Sequence, residues 1–382
     1  MRLGSCIAVE TATLLAALVG VAWGATALSA ELRGPGAEPT QDLALRAPPR
    51  PTPPPTPPKV AVPVAAVQAT RGDVRGPEVA LPVAPTVADP LAPRWAFAGR
   101  PDEPLLAPLR AGTPTGIKVN RGGTSLSLRI DFDNGARAAF KPDQVFGQSN
   151  PRREVAAYRI DRLLGIGRVP PAVAVSYDLE QLLAATGDAE ARARLRTDAV
   201  PRKGKLRGEL SWWVPVLADG YIGSARIDDT VGIVTWRKWL KAGGQIPPER
   251  RALCEQLSAM ALFDFVIGNI DRWTGNNAKV SEDGQVLYFM DNTLAFGKNR
   301  QGAHKTHLYL QRVQTFSKEL VGRLRALDEP RLRAVLEPER GDFEQLLTDE
   351  EVAAVLSRRD RALEYVDGLI AVHGEAKVLA FP

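Results

Sequence analysis

Lys141, Glu154, Asp271, Asn276 and Asp291 are the residues of this 382-residue chain whose types and spacing could do chemistry. A cation on a rigid strand can hold a polyphosphate, and an acid early in the next helix can aim that cation or reach a metal. Two acids twenty residues apart, with an asparagine five residues after the first, can supply hard oxygen ligands for a divalent ion. On that chemistry Lys141 holds the α/β-phosphates of ATP and Glu154 orients Lys141 or reaches a metal. Asp291 with Asn276 ligates Mg²⁺ or Mn²⁺, and Asp271 accepts the proton of an attacking hydroxyl. Taken singly, each has an ordinary explanation. Lys141 could be a solvated strand end, Glu154 a first-turn acid favoured by the helix dipole, Asp271-Arg272 a surface ion pair, and Asp291-Asn292 a turn cap. Their order along the chain carries the argument, so the elements that hold them decide it.

Residues 125–132 alternate, with Leu126, Leu128, Ile130 and Phe132 on one face, and Asp133-Asn134-Gly135 supplies the turn of a tight hairpin. Residues 136–141 form the return strand, which puts Lys141 at a strand end before Pro142. Helical spacing over 152–164 puts Glu154 in the first turn of the next element, and 168–175 reads as a loop leading into a buried strand. One helix is expected over 178–195, a basic loop over 203–207 before 210–217, and an apolar helix over 249–267. Asp271 then lies in a loop dense in Gly and Asn (268–277). A hairpin over 278–290 ends at Asp291, and the chain is helical with charged outer faces from His304 onward. Asn120 to Ser125, with Gly122 and Gly123, is the best candidate for a phosphate loop. Trp212 and Trp213 read as core or lobe-interface residues.

Composition divides the chain. Residues 31–100 hold 16 of the 31 prolines, so 31–103 reads as a Pro/Ala-rich disordered linker and 104–382 as the folded unit. Residues 11–30 carry no charge, and 1–30 reads as a signal peptide or a single transmembrane anchor. The protein is therefore expected to be exported or membrane-anchored, with open topology and membrane contact only through that segment. Cys6 and Cys254 are too far apart in context to pair, and three histidines, none before His304, give no zinc cluster. A net charge of +5 scattered among nearly as many acids argues against nucleic acid as a partner.

Strand Lys, helix Glu, loop Asp with Asn five residues on, and strand-end Asp is the layout of protein-kinase-like phosphotransferases. The local wording goes further. "FKP", "REVAAYRIDRLLGIGRVPP", "FDFVIGNIDRW" and "FMDNTLAFGK" resemble the Golgi casein kinase and four-jointed family of secretory-pathway kinases, over about residues 140–298, with "THLYLQRVQTF" a looser match. The resemblance implies an α+β, two-lobed protein-kinase-like fold with a small β-rich N-lobe and a mostly helical C-lobe. It implies use of ATP with Mn²⁺ or Mg²⁺ and a hydroxyl of a protein or glycan as acceptor, with Asp271 catalytic and Asp291 on the metal. Asn276 rests on spacing alone, since the residues after Asp271-Arg272 depart from the family's pattern. Two other readings use the same residues: a catalytically inactive kinase-like binding or allosteric module, and a kinase for a lipid or small molecule.

Overall fold

The computed structural model describes residues 91–121, 124–273, 277–337 and 342–382. The N-terminal segment, residues 31–90 of the linker, Gly122-Gly123 and Asn276 lie outside them. Among the described residues, no helix is long and apolar enough to cross a membrane.

The first lobe opens with a short hairpin, β1 (Ala96–Phe97) and β2 (Arg100–Pro101), and helix α1 (Glu103–Ala111). Then come β3 (Pro114–Val119), β4 (Leu128–Phe132), β5 (Arg137–Pro142), α2 (Pro151–Leu163), β6 (Ala172–Asp178), α3 (Leu179–Ala185), α4 (Ala189–Thr197) and β7 (Lys205–Trp212). The strands form one antiparallel sheet in the order β3-β4-β5-β7-β6. The expected hairpin is present: Gly135 turns at φ 80°, and Asn134 Oδ1 accepts from Ala136 N at 3.0 Å. Leu128, Ile130, Phe132, Ala138 and Phe140 bury the inner face, as the alternation requires.

The second lobe holds β8 (Ala218–Asp219), β9 (Tyr221–Ile222), β10 (Ala225–Arg226), α5 (Thr230–Trp239), α6 (Arg251–Ile267), β11 (Ala278–Val280) and β12 (Leu287–Phe289). Helices α7 (His304–Leu310), α8 (Lys318–Ala326), α9 (Glu329–Val335), α10 (Asp349–His373) and α11 (Glu375–Val378) complete it. Helix α6 is its axis: Leu257, Met260, Phe263 and Phe265 are buried with Phe289, Phe296, Phe316 and Val355. Gly268 ends α6 in the left-handed conformation (φ 71°), which starts the Gly/Asn loop where the sequence places it.

Three expectations need correction. The single helix over 178–195 is two helices, because Asp188 caps a new one by accepting from Ala191 N at 2.9 Å. The basic loop over 203–207 belongs largely to β7, which lies between β5 and β6 and buries Leu206 and Leu210. The folded body also starts before residue 104. Leu91 and Phe97 are buried, and buried Asp102 binds Tyr158 and Arg162 of α2. Their side chains make core contacts that a Pro-rich composition conceals.

Candidate active site

Lys141 sits next to the end of β5 with Phe140 buried beside it, and β7 pairs Lys141 directly with Glu209. The strands can approach this closely because residue 208 is glycine. A Cβ there would come within 2.5 Å of the Phe140 ring and 2.6 Å of the Lys141 carbonyl oxygen. Helix α2 brings Glu154 from the other side, and Lys141 Nζ donates to Glu154 Oε1 at 2.7 Å and to Asp291 Oδ1 at 2.9 Å. The second oxygen of Glu154 accepts from Asn292 N at 2.9 Å and Asn292 Nδ2 at 3.2 Å. One carboxylate thus fixes both the lysine and the backbone after Asp291.

Asp291 follows β12 with φ 55°, a conformation costly for a residue with a Cβ and held here by its surroundings. Asn269 Nδ2 donates to its carbonyl at 3.1 Å and Thr293 Oγ1 to its Oδ1 at 3.0 Å. The same Asn269 accepts from Asp271 N at 3.0 Å, so one side chain ties the Asp271 loop to Asp291. Asp271 Oδ2 accepts from Asn277 Nδ2 at 3.1 Å. Behind the loop, buried Arg272 donates to Asp264 at 3.2 Å and to Asn292 Oδ1 at 2.7 Å.

Electrostatics follow from this geometry. Burial would lower the Lys141 pKa, but the charges of Glu154, Asp291 and Glu209 outweigh it and hold Lys141 well above the ordinary lysine range. The Lys141 ammonium lowers the Asp291 pKa, which keeps that carboxylate ionised. Burial, with the like charge of Glu154, pushes Glu209 up to about 8. Burial raises Asp264 to about 6 against the pull of Arg272. Lys305 of α7 is lowered by burial and raised in turn by the charge of Asp271, which places a cation close to that carboxylate.

A cleft of about 410 Å³ opens beside Lys141. Ala139, Val169, Ala172, Trp212 and Met290 give it an apolar side, and Lys141, Glu154, Glu209 and Asp291 a charged one. Trp212 therefore lines the cleft, although its Phe97 neighbour at 5.8 Å also makes it part of a packed cluster. Among the described residues no three acids, histidines or cysteines converge as a metal site, and Asp291 is the acid of this cluster that presents an open oxygen to a divalent ion. The Asp291 side chain is 41% exposed, and Lys141 and Thr293 both bind Oδ1, leaving Oδ2 without a protein donor among the described residues. Of the residues singled out from sequence, Lys141, Glu154 and Asp291 form one hydrogen-bonded cluster and Asp271 joins it through Asn269. Glu209, Asn269, Asn292, Asp264 and Thr293 were not singled out. An acid inside the apolar run of α6 was the available signal for Asp264, and the N-rich loop for Asn269; nothing local marks Glu209.

No family model matches the chain. Among curated proteins, the human extracellular serine/threonine protein kinase FAM20C is 25% identical across 51% of this chain and 41% of its own length. The chain thus spans well under half of that relative. Among solved structures, the Golgi casein kinase superposes with a TM-score of 0.54 at 16% identity over 72% of this chain and 76% of its own. The Golgi casein kinase with Mn/ADP bound gives a TM-score of 0.55 at 16% identity, covering 72% and 78%. The fold is therefore α+β and two-lobed, of the protein-kinase-like type, with the β-rich lobe and helical lobe described above. The chain is thus similar in sequence to FAM20C over about half of its length and shares its fold with the Golgi casein kinase.

Proposed function

We propose that the protein is a metal-dependent atypical kinase that transfers the γ-phosphoryl group of ATP to a hydroxyl of a protein or glycan. The observation that carries this reading is the Lys141–Glu154 contact of 2.7 Å, closed by Asp291 at 2.9 Å in a cleft with an apolar side. The similarity to FAM20C, an extracellular serine/threonine protein kinase, and to the Golgi casein kinase with Mn/ADP bound supports it.

Lys141 binds and neutralises phosphate oxygens, and Glu154 keeps its ammonium in place, with Asn292 bracing Glu154. Asp291 is the metal carboxylate. Asn276 is assigned as the second ligand from its spacing, and Glu154 lies within the same cluster. Mn²⁺ or Mg²⁺ held by these residues would supply neutralisation of phosphate charge. Asp271, aligned through Asn269 and Asn277, accepts the acceptor proton. We place the protein outside the cytoplasm, exported or anchored through residues 11–30, with 31–90 as a spacer.

The test is phosphotransfer by the full chain to a protein and, separately, a glycan acceptor, with ATP and Mn²⁺ or Mg²⁺. Asp271→Asn keeps shape and removes charge, so turnover is expected to fall about 10²–10⁴-fold while nucleotide–metal affinity stays near normal. An equal loss of nucleotide binding would move Asp271 into the metal shell, and full activity would remove it from the chemistry.

A further inference from the structure

Helix α2 begins in a way that its own stability does not explain. Asn150, at its N-cap position, makes no side-chain cap hydrogen bond, and the first turn carries Arg152 and Arg153, two cations where the helix dipole favours anions. Both arginines reach Glu351 in the first turn of α10, about 200 residues away in sequence. Arg152 Nη1 donates to Glu351 Oε2 at 2.7 Å and Nη2 to Oε1 at 3.0 Å; Arg153 Nη2 donates to Oε1 at 2.9 Å. Glu351 is 1% exposed and also accepts from Thr348 N at 2.9 Å in its own capping box. Its carboxylate therefore takes four donors, and losing it would leave two guanidinium groups facing each other at a helix N-terminus.

We propose that Glu351, through Arg152 and Arg153, is a positioning residue for the catalytic cluster, clamping α2 to α10 so that Glu154 meets Lys141. The inference rests on the function proposed above. Arg152, Arg153 and Glu154 are consecutive on one helix, so a rotation or slide of α2 that loosens the arginines also moves Glu154. A second path runs to the metal carboxylate. Arg153 Nη1 lies 3.5 Å from the Thr293 carbonyl, and Thr293 Oγ1 donates to Asp291 at 3.0 Å. The clamp thus connects to both acids that flank Lys141, to Glu154 along the helix and to Asp291 through Thr293, and none of its residues lines the cleft.

The full chain tests it with two variants. Glu351→Gln keeps the size and an oxygen acceptor but removes the charge, and Arg153→Met leaves the capping box untouched. Each is expected to lower kcat/KM about 10- to 100-fold, yet to cost less than about twofold more in a Glu154→Ala background, because both act through the same carboxylate. Amide hydrogen exchange should quicken in α2 and stay unchanged in α6. Equal fold-losses in both backgrounds overturn the proposal, as does unchanged exchange in α2 or a rise spread evenly over both helices. If the unmodified chain shows no phosphotransfer, the kinase reading fails and the clamp is decided by the exchange pattern alone.

Discussion

Two charge clusters flank helix α2, and they are built in opposite ways. On one side Arg162 is fully buried with Asp102 and Asp161. Its Nε donates to Asp102 Oδ2 at 2.7 Å, its Nη2 to Asp102 Oδ1 at 3.1 Å and to the Val169 carbonyl at 2.9 Å, and its Nη1 to Asp161. Asp161 Oδ1 takes Arg168 N at 3.0 Å and Val169 N at 3.2 Å, and Tyr158 OH donates to Asp102 at 3.0 Å. On the other side, Lys141 meets Glu154, Asp291 and Glu209, and Asp291 opens onto the cleft. The first cluster is closed and its oxygens are occupied by protein donors, as a structural network requires. The second sets Glu154, Asp291 and the protonation-prone Glu209 around one cation and keeps Asp291 accessible, an open oxygen suited to a metal with its phosphates. The accessible carboxylate of Asp291 separates the two clusters; charge count does not, since each sets its acids against a single cation.

The largest effect on stability is expected at the closed cluster. Arg162→Ala leaves two buried acids without their cation and should cost about 3–5 kcal/mol in chemical denaturation. Lys141→Ala should cost less than half of that, because the cleft admits water to Asp291, while phosphotransfer is lost. Equal destabilisation by the two would erase the distinction drawn above.

Truncation probes the same closed cluster from the chain's beginning. Deleting residues 1–90 should leave the melting temperature unchanged. Deleting 1–103 removes Leu91, Phe97 and Asp102 and should approach the Arg162→Ala loss. A shorter chain that melts like the longer one would return residues 91–103 to the linker.

A smaller effect belongs to Glu209. Its pKa is raised from an ordinary 4.5 to about 8 by burial and by Glu154. Its contribution to stability is therefore fully present below pH 4.5 and lost as pH rises through 8. Glu209→Gln removes that loss, so the melting temperature of the variant should gain on the unmodified chain between pH 5 and 8, by about 2–4 °C for each kcal/mol involved. A gap that is constant or narrows with pH would show that Glu209 is ionised throughout.

Local signals made part of this legible from sequence. Alternation and a turn at Asp133-Asn134-Gly135 put Lys141 on a strand end, helical spacing put Glu154 in a first turn, and a hairpin delivered Asp291. What stayed hidden depends on distant partners or on misleading composition. Lys203, Lys205 and Arg207 make the start of β7 look like a loop, and this concealed Glu209, which gains meaning only from its register with Lys141. Glu351 pairs with residues about 200 positions away and leaves no local trace. Prolines and alanines continue through Ala92-Pro93 and Ala96, so the buried Leu91 and Phe97 read as linker.

The central claim is that Asp291 is the metal carboxylate of a nucleotide site built on Lys141 and Glu154. Thermal melting of the full chain and of Asp291→Ala, with ADP alone, Mn²⁺ alone and both together, tests it most directly. The unmodified chain should be stabilised by ADP chiefly when Mn²⁺ is present, about 2.7 kcal/mol at a hundredfold excess over Kd, and Asp291→Ala should lose that dependence on metal. A metal-dependent shift of the same size in Asp291→Ala would contradict the account.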